Sequence, residues 1–156
     1  MSRTYSVEPW VVDPLKGFVA EADARMVLLM TPAGQVIAQY GFTRAVDVMA
    51  AAALGAAIVS AAGAVARMLD EPVFSALNHQ GKQHGIFLAG FDTPRGRMVV
   101  LVVYGRESSP GLVQLFFEEF ARELVAKCPE PEAPKPILAK DFERDLNETL
   151  NALFRA

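Results

Sequence analysis

A long uncharged segment, Ala45–Leu69, dominates the pattern of hydrophobic and polar positions along this chain. No charged residue occurs between Val48 and Ala66, and alanine is the commonest residue there. Alanine loses no side-chain entropy on helix formation, so the segment predicts one long helix despite Gly55 and Gly63. We expect the rest of the domain to be organised around this helix.

The helical spacing divides this segment into two faces. We expect the face with large side chains to pack on the protein's own sheet, and it consists of Leu54, Ile58, Val65, Met68 and Leu69. The other face carries small side chains and a single charge. Solvent-facing helix surfaces are normally polar, so we expect another protein surface to cover this second face. Its residues are Met49, Ala52, Ala53, Ala56, Ser60, Gly63, Ala64 and Arg67.

Two other interpretations of the segment exist. A membrane span needs about 20 apolar residues, but the side chains here are weakly apolar, and neither end has the aromatic or basic residues that flank such spans. The helix could also be enclosed within one large domain, although 156 residues rarely surround a helix on all sides. A helix shared between the domain and a partner is the favoured interpretation, and we expect no membrane span.

Alternating and continuous apolar runs predict strands on both sides of the long helix. The run Met98–Tyr104 is apolar throughout, which is typical of a central strand buried on both faces. The other predicted strands are Arg25–Thr31, Gln35–Tyr40, Val73–Gln80 and His84–Phe91.

Two proline-containing signals predict helix starts. Asp13 as N-cap followed by Pro14 predicts a short first helix, and Ser109 followed by Pro110 predicts a helix that ends near Lys127. The expected organisation is a tail at residues 1–11, a domain at 12–128, a proline-rich linker at 129–139 and an amphipathic helix at 140–156. A short isolated helix is marginally stable, so its apolar face needs a contact surface. That face carries Phe142, Leu146, Leu150 and Leu153.

Charge and composition exclude several classes of function. The net charge of −3 offers no basic surface for phosphates, so we expect no nucleic-acid partner. Hydrophobic residues make up 52% of the chain and charged residues 21%, which favours burial within an oligomer or complex. The single cysteine rules out an intrachain disulfide. The N-terminal residues lack an apolar signal core, so we expect a cytoplasmic protein.

Candidate catalytic and metal-binding groups are sparse, so we expect no enzyme, no cofactor and no metal site. The two histidines, His79 and His84, lack a nearby acidic partner, and Cys128 has no histidine to activate it. A phosphate-binding glycine loop is also missing from the sequence, so the chain is not expected to bind GTP itself. Arg67 as an arginine finger is less favoured than Arg67 in an interface or surface ion pair.

Four segments in a fixed order resemble the roadblock (dynein light chain) family, and within it the bacterial MglB-type partners of Ras-like polarity GTPases. The proline linker and terminal helix also look like the MglB-type extension. No single segment is a specific signature, and the order and spacing carry the match. The segments are Val27–Gln39, Leu54–Leu69, Asn78–Leu88 and Val99–Leu115.

The resemblance implies an α/β (α+β) fold of the roadblock/longin type. In this fold a five-stranded antiparallel sheet carries the long central helix on one face and two helices on the other, in the order α-β-β-α-β-β-β-α, here followed by a C-terminal extension helix. It also implies a homodimer whose protomers pair through their third strands. That pairing would place Phe74, Ala76 and Asn78 at the dimer edge.

The resemblance further implies that the paired central helices form a platform for an MglA-type small GTPase in bacterial cell polarity and motility. Such a regulator stimulates GTP hydrolysis by holding the GTPase's own catalytic residues in place. The terminal helix would dock elsewhere on the GTPase and modulate nucleotide exchange. The expected location is the cytoplasm, including a cell pole. Family membership alone leaves two alternatives, a scaffold subunit without activating function and a small-ligand sensor.

Overall fold

The structure, a computed structural model, describes residues 4–131 and 136–155. Its strands are β1 (Thr4–Ser6), β2 (Ala24–Met30), β3 (Val36–Tyr40), β4 (Leu77–Gln80), β5 (Gly85–Thr93) and β6 (Gly96–Tyr104). Its α-helices are α1 (Val12–Ala22), α2 (Ala45–Met68), α3 (Pro110–Lys127) and α4 (Pro136–Phe154). The predicted order of elements from α1 to α3 is confirmed.

The described strands form one antiparallel sheet in the order β1-β3-β2-β6-β5-β4. β6 lies inside the sheet, between β2 and β5, and most of its side chains are buried. Alternate side chains of β6 point to opposite faces, so a strand covered on both sides needs apolar residues at every position. The prediction of a central strand at Met98–Tyr104 is therefore confirmed.

The larger core lies between the sheet and the helices α1 and α3. Phe18 of α1 stacks on Phe120 of α3 with ring centroids 4.9 Å apart. Phe87 of β5 meets Phe117 of α3 at 5.3 Å. Aromatic contacts of this kind add about 0.5–1.5 kcal/mol per pair beyond the area they bury. This face of the sheet therefore carries the packing of the large aromatic side chains.

A smaller core lies on the opposite face, between the sheet and α2. The sheet supplies the large buried side chains, among them Met30, Leu88 and Leu101. From α2, Ala52 is buried in this core, and Val48, Ile58 and Val59 pack against it partly buried. A Cβ atom at Gly55 would lie 2.6 Å from Cε of Met30, so the helix backbone approaches the sheet closely there.

The expectation that the large side chains of α2 pack on the sheet is wrong for most of them. Leu54, Val65, Met68 and Leu69 are exposed, and Ile58 alone of that set is partly buried against the α2 core. The helix instead turns its small residues inward, because the strands already fill the space between the two layers. The inward residues that are fully buried are Ala52, Gly55 and Ala66.

The N-terminal segment differs from the expected loose tail. Thr4–Ser6 form β1, which pairs with β3 and makes the sheet six-stranded among the described residues, where five strands were expected. A short 3-10 helix, Pro9–Val11, then leads into α1, so the helix begins before the predicted N-cap at Asp13. The sequence pattern does not predict β1, because a strand of three residues is too short to show a hydrophobic alternation and its pairing partner is remote in sequence.

The helix signal at Ser109 and Pro110 is confirmed. The side-chain oxygen of Ser109 accepts a hydrogen bond from the backbone N–H of Leu112, and α3 ends at Lys127 as predicted. The C-terminal helix α4 begins at Pro136, which lies inside the segment expected to be linker. Residues 132–135 of that linker lie outside the described residues.

An ion-pair cluster ties together the end of the sheet near β2, β5 and β6. Arg25 donates to both carboxylate oxygens of Glu107, at 2.6 and 3.1 Å, and its third nitrogen lies 2.8 Å from Nε2 of His84. The hydrogen bond from Arg25 lowers the pKa of Glu107 to about 2. Arg25 and Glu107 are 82 positions apart in the chain, so only the folded structure brings them together.

Gly41 lies between β3 and α2, and a substitution there tests its close contact with the backbone of β2. Its φ angle is +88°, and a Cβ atom there would collide with the carbonyl oxygen of Arg25. We expect Gly41→Ala to lower the free energy of unfolding by about 2 kcal/mol or more. Gly17 in α1 has open space around its Cβ position, so Gly17→Ala should raise stability by up to about 1 kcal/mol. Urea denaturation measures both, and equal effects would contradict the structure.

The Arg25–Glu107 pair predicts a pH dependence of stability. The carboxylate is favoured in the folded protein, so the pair contributes fully above the pKa of an unfolded glutamate, about 4.3. Its contribution is lost as pH falls towards 2, where Glu107 is protonated in the folded state. The stability difference between the native protein and Glu107→Gln should shrink over that range in denaturation curves. Glu123→Gln, which removes an exposed pair with Lys127, should show little difference at any pH.

Candidate protein-interaction surface

The outer face of α2 is an exposed apolar surface. Met49, Leu54 and Met68 are 70%, 65% and 82% exposed. Only 11% of the most apolar stretch of this helix is buried within the chain. Soluble proteins seldom leave large contiguous apolar patches uncovered unless the patch binds something. We call this surface the α2 outer face, and its exposed residues are Met49, Ala53, Leu54, Ala57, Ala61, Ala64, Val65 and Met68.

The structure places the interface residues predicted on α2 at three depths. Five of them are exposed: Met49, Ala53, Ser60, Ala64 and Arg67. Ala56 and Gly63 are half-buried, and the Cβ position of Gly34 lies 3.5 Å from Cβ of Ala56. Ala52 is buried beneath the helix against the sheet, so in this fold it cannot form part of an interface.

Sequence reasoning missed Leu54, Ala57, Ala61, Val65 and Met68 as members of this surface. Large apolar side chains usually fill cores, and that tendency predicts Leu54, Val65 and Met68 in the interior. The sequence does contain a signal against that assignment. β2 and β6 already carry large residues, and a helix that packs closely on them needs a small inner face such as the one at Ala52, Gly55 and Ala66.

A groove beside the C-terminal half of α2 brings two sets of predicted residues together. Its volume is about 250 Å³, and its apolar walls come from α2, from β5 and from the segment before β4. Arg67 borders the groove and forms no ion pair with any residue that the structure describes. The predicted residues that line it are Ser60, Gly63, Arg67, Phe74 and Ala76.

Strand β4 is an edge of the described sheet, next to this groove. It begins at Leu77, so Asn78 lies on the strand, whereas Phe74 and Ala76 precede it. The predicted strand start at Val73 is therefore wrong by four residues. The outward backbone groups of an edge strand can pair with another chain. β4 is short, and most of its side chains are exposed.

Helix α4 presents an apolar face that its own chain does not cover. Phe142 is 69% exposed and Leu153 is 71% exposed, and Leu146 and Leu150 are also exposed. Other exposed positions of α4 carry acidic residues, among them Glu143, Asp145 and Glu148. Helices with one apolar and one charged face are stabilised by packing against another surface.

A membrane span and a metal site are the two alternatives to a protein-interaction surface. Among the described residues, α2 is one helix that is long and apolar enough to cross a membrane, with a mean hydropathy of 2.1. A single such helix is weak evidence for a span, and α2 packs closely on the sheet at Gly55. The described residues contain no group of three or more histidine, cysteine, aspartate or glutamate side chains that could hold a metal ion.

This chain is similar to solved structures of MglB proteins. MglB from Myxococcus xanthus is 26% identical, with a TM-score of 0.69 over 77% of this chain and 95% of that one. The gliding protein MglB from Thermus thermophilus is 23% identical, with a TM-score of 0.66 over 76% of this chain and 87% of that one. A search of curated proteins found no match.

A family comparison agrees with the observed architecture. The model of the Roadblock/LC7 domain matches residues 13–104, from the start of α1 to the end of β6. That range is more than half of the chain, and it includes α2 and the edge strand β4. The chain belongs to the Roadblock/LC7 domain family.

Proposed function

We propose that this protein is a homodimeric regulator of a Ras-like small GTPase of the MglA type, and that it stimulates GTP hydrolysis. The observation that carries the proposal is the α2 outer face, which is apolar and uncovered in the single chain. The likeness to MglB structures supports this choice within the Roadblock/LC7 family. Bacterial cell polarity and motility are the proposed context, and the cytoplasm, including a cell pole, is the proposed location.

The dimer is proposed to form along β4 and the groove beside it. Antiparallel pairing of two β4 strands would satisfy the outward backbone groups of both edges. The same pairing would bring the α2 helices of both copies onto one face of a continuous sheet. Each buried Å² of apolar surface contributes about 25 cal/mol, so covering the α2 outer face favours association.

The GTPase is proposed to bind across the two α2 helices. The outer face offers methionine and alanine rather than charged groups, so it suits a shape-based contact that holds a partner in one conformation. Arg67 lies at the groove, not in the apolar centre of that face. Stimulation would therefore come from holding the GTPase's own catalytic residues in place, without a donated arginine. The apolar side of α4 is proposed as a second contact with the GTPase, through which exchange is modulated.

Replacement of a central alanine tests the GTPase proposal. Ala57→Arg or Ala61→Arg places a charge on the exposed side of α2, away from the sheet. The variants should fold normally and lose at least tenfold of the stimulation of single-turnover GTP hydrolysis, because an unpaired charge opposes a desolvated contact. A purified MglA-type small GTPase loaded with GTP is the substrate of the assay.

Ala126→Arg is the matched control, since Ala126 is also an exposed helical alanine but lies on α3, across the sheet. It should retain full stimulation. Unchanged stimulation by all three variants would contradict the proposed surface. Binding without any increase in hydrolysis, by the native protein itself, would instead identify a scaffold subunit.

Deletion of residues 129–156 tests the separate roles of the domain and α4. The apolar residues of α4 are exposed, so the truncated chain should keep its melting temperature and its dimeric mass in light scattering. Its affinity for the GTPase should fall, because the second contact is removed. A monomeric truncated chain would show that α4, rather than β4, holds the dimer together.

A further inference from the structure

A second groove lies beside the first turns of α2, where β1 and β3 meet the start of that helix. Its volume is about 380 Å³, and its walls come from β1, from β3, from the connection between β3 and α2, and from α2 itself. Met49 lines the groove and also belongs to the α2 outer face, so the two surfaces are continuous. We call it the β1 groove, and the lining residues that matter below are Tyr5, Gln39, Phe42, Arg44, Ala45 and Met49.

The β1 groove has the residue types of a protein-interaction surface. Tyr5 is 59% exposed and lies on β1, which is the edge of the described sheet opposite β4. Arg44, a charged residue of the lining, is already paired with Asp47 at 3.7 Å, and most of the remaining lining is apolar. Tyrosine, arginine and methionine are enriched where protein interfaces gain most of their binding energy. The groove therefore suits an apolar segment of a protein.

The floor of the β1 groove is held in place before any partner binds. The backbone N–H of Phe42 donates to Oε1 of Gln39 at 3.2 Å, and the ring of Phe42 packs against the α2 core. Gly41 beside it lies directly against the backbone of Arg25. A surface that is already ordered loses little conformational entropy on binding.

Helix α4 leaves the domain on the same side of the sheet. The hydroxyl of Ser108, just before α3, donates to the carbonyl oxygen of Ala22 at the end of α1. The helices α1 and α3 are therefore antiparallel along their stacked aromatic rings. The end of α3 at Lys127 consequently lies beside the start of α1 and the 3-10 helix that follows β1. Residues 128–135 join Lys127 to α4, and a chain of that length reaches at most about 30 Å.

We infer that the GTPase contact extends from the α2 outer face into the β1 groove, which takes an apolar segment of the GTPase surface. This inference rests on the proposed function. A GTPase in contact with both α2 and α4 is held on the side of the sheet where β1 is the edge, and the groove lies there. A charged segment would lose its hydration in the groove without gaining a partner. β1 precedes residues 13–104, so Tyr5 adds a contact outside the range that the family model matches.

Two variants of the full-length protein test the β1 groove. Tyr5→Ser removes its exposed ring, and Ala45→Arg places a bulky charge in it from an exposed position. Each should weaken binding of an MglA-type GTPase, loaded with a non-hydrolysable GTP analogue, by about tenfold. Stimulation of GTP hydrolysis at saturating regulator should stay at the native value, because the groove adds binding and the α2 outer face positions the catalytic residues.

Leu115→Ser and Ala126→Arg are the matched controls, since both residues are exposed on α3, across the sheet. They should bind the GTPase as the native protein does. If the native protein stimulates hydrolysis while Tyr5→Ser and Ala45→Arg bind as tightly as these controls, this inference alone is overturned. If the native protein neither binds the GTPase nor stimulates it, the proposed function fails as well.

Amide hydrogen exchange identifies the occupant without any substitution. Addition of the GTPase should slow exchange at residues 4–6 and 42–46 of the native protein, because the groove is then covered. In the free protein, neither dilution nor deletion of residues 129–156 should change exchange at these positions. Faster exchange on dilution would identify a second copy as the occupant, and faster exchange after the deletion would identify α4. Either result would overturn the inference.

Discussion

The close approach of α2 to the sheet determines which side chains this protein buries and which it presents. At Gly55 the helix backbone comes within contact distance of the side chains of Met30 and Leu101. The strands therefore provide most of the side-chain volume between α2 and the sheet. Small residues on the inner side of the helix make this spacing possible. Met49, Leu54, Val65 and Met68 of α2 are consequently exposed, and they belong to the apolar surface on which the proposed function depends.

The two faces of the sheet therefore differ in how much hydrophobic core they carry. The face under α1 and α3 holds the aromatic packing, including the stacked rings of Phe18 and Phe120, and carries most of the buried bulk. The face under α2 has a thin core and an exposed helix. A domain whose stability rests mainly on one face can use the other for recognition, since substitutions on that surface disturb few internal contacts.

The α2 surfaces and the cavity beside Tyr104 occupy separate parts of the molecule. The α2 outer face, the groove at Arg67 and the edge of β4 adjoin one another. The cavity at Tyr104 lies by the start of α3. Residues of the β4–β5 hairpin border that cavity. The salt bridge between Arg25 and Glu107 connects the same hairpin, through His84, to the loop before α3.

Local signals in the sequence determined the elements of this protein, because each signal acts within a few residues. The alanine-rich segment fixed α2, the apolar run Met98–Tyr104 fixed the central strand, and Ser109 with Pro110 fixed the start of α3. Tertiary structure alone decided what depends on contacts between remote residues. The pairing of β1 with β3 and the ion pair of Arg25 with Glu107 are of this kind. The rotation of α2 about its own axis is a third example. Because this helix is almost wholly apolar, its faces differ too little in polarity to specify which one meets the sheet.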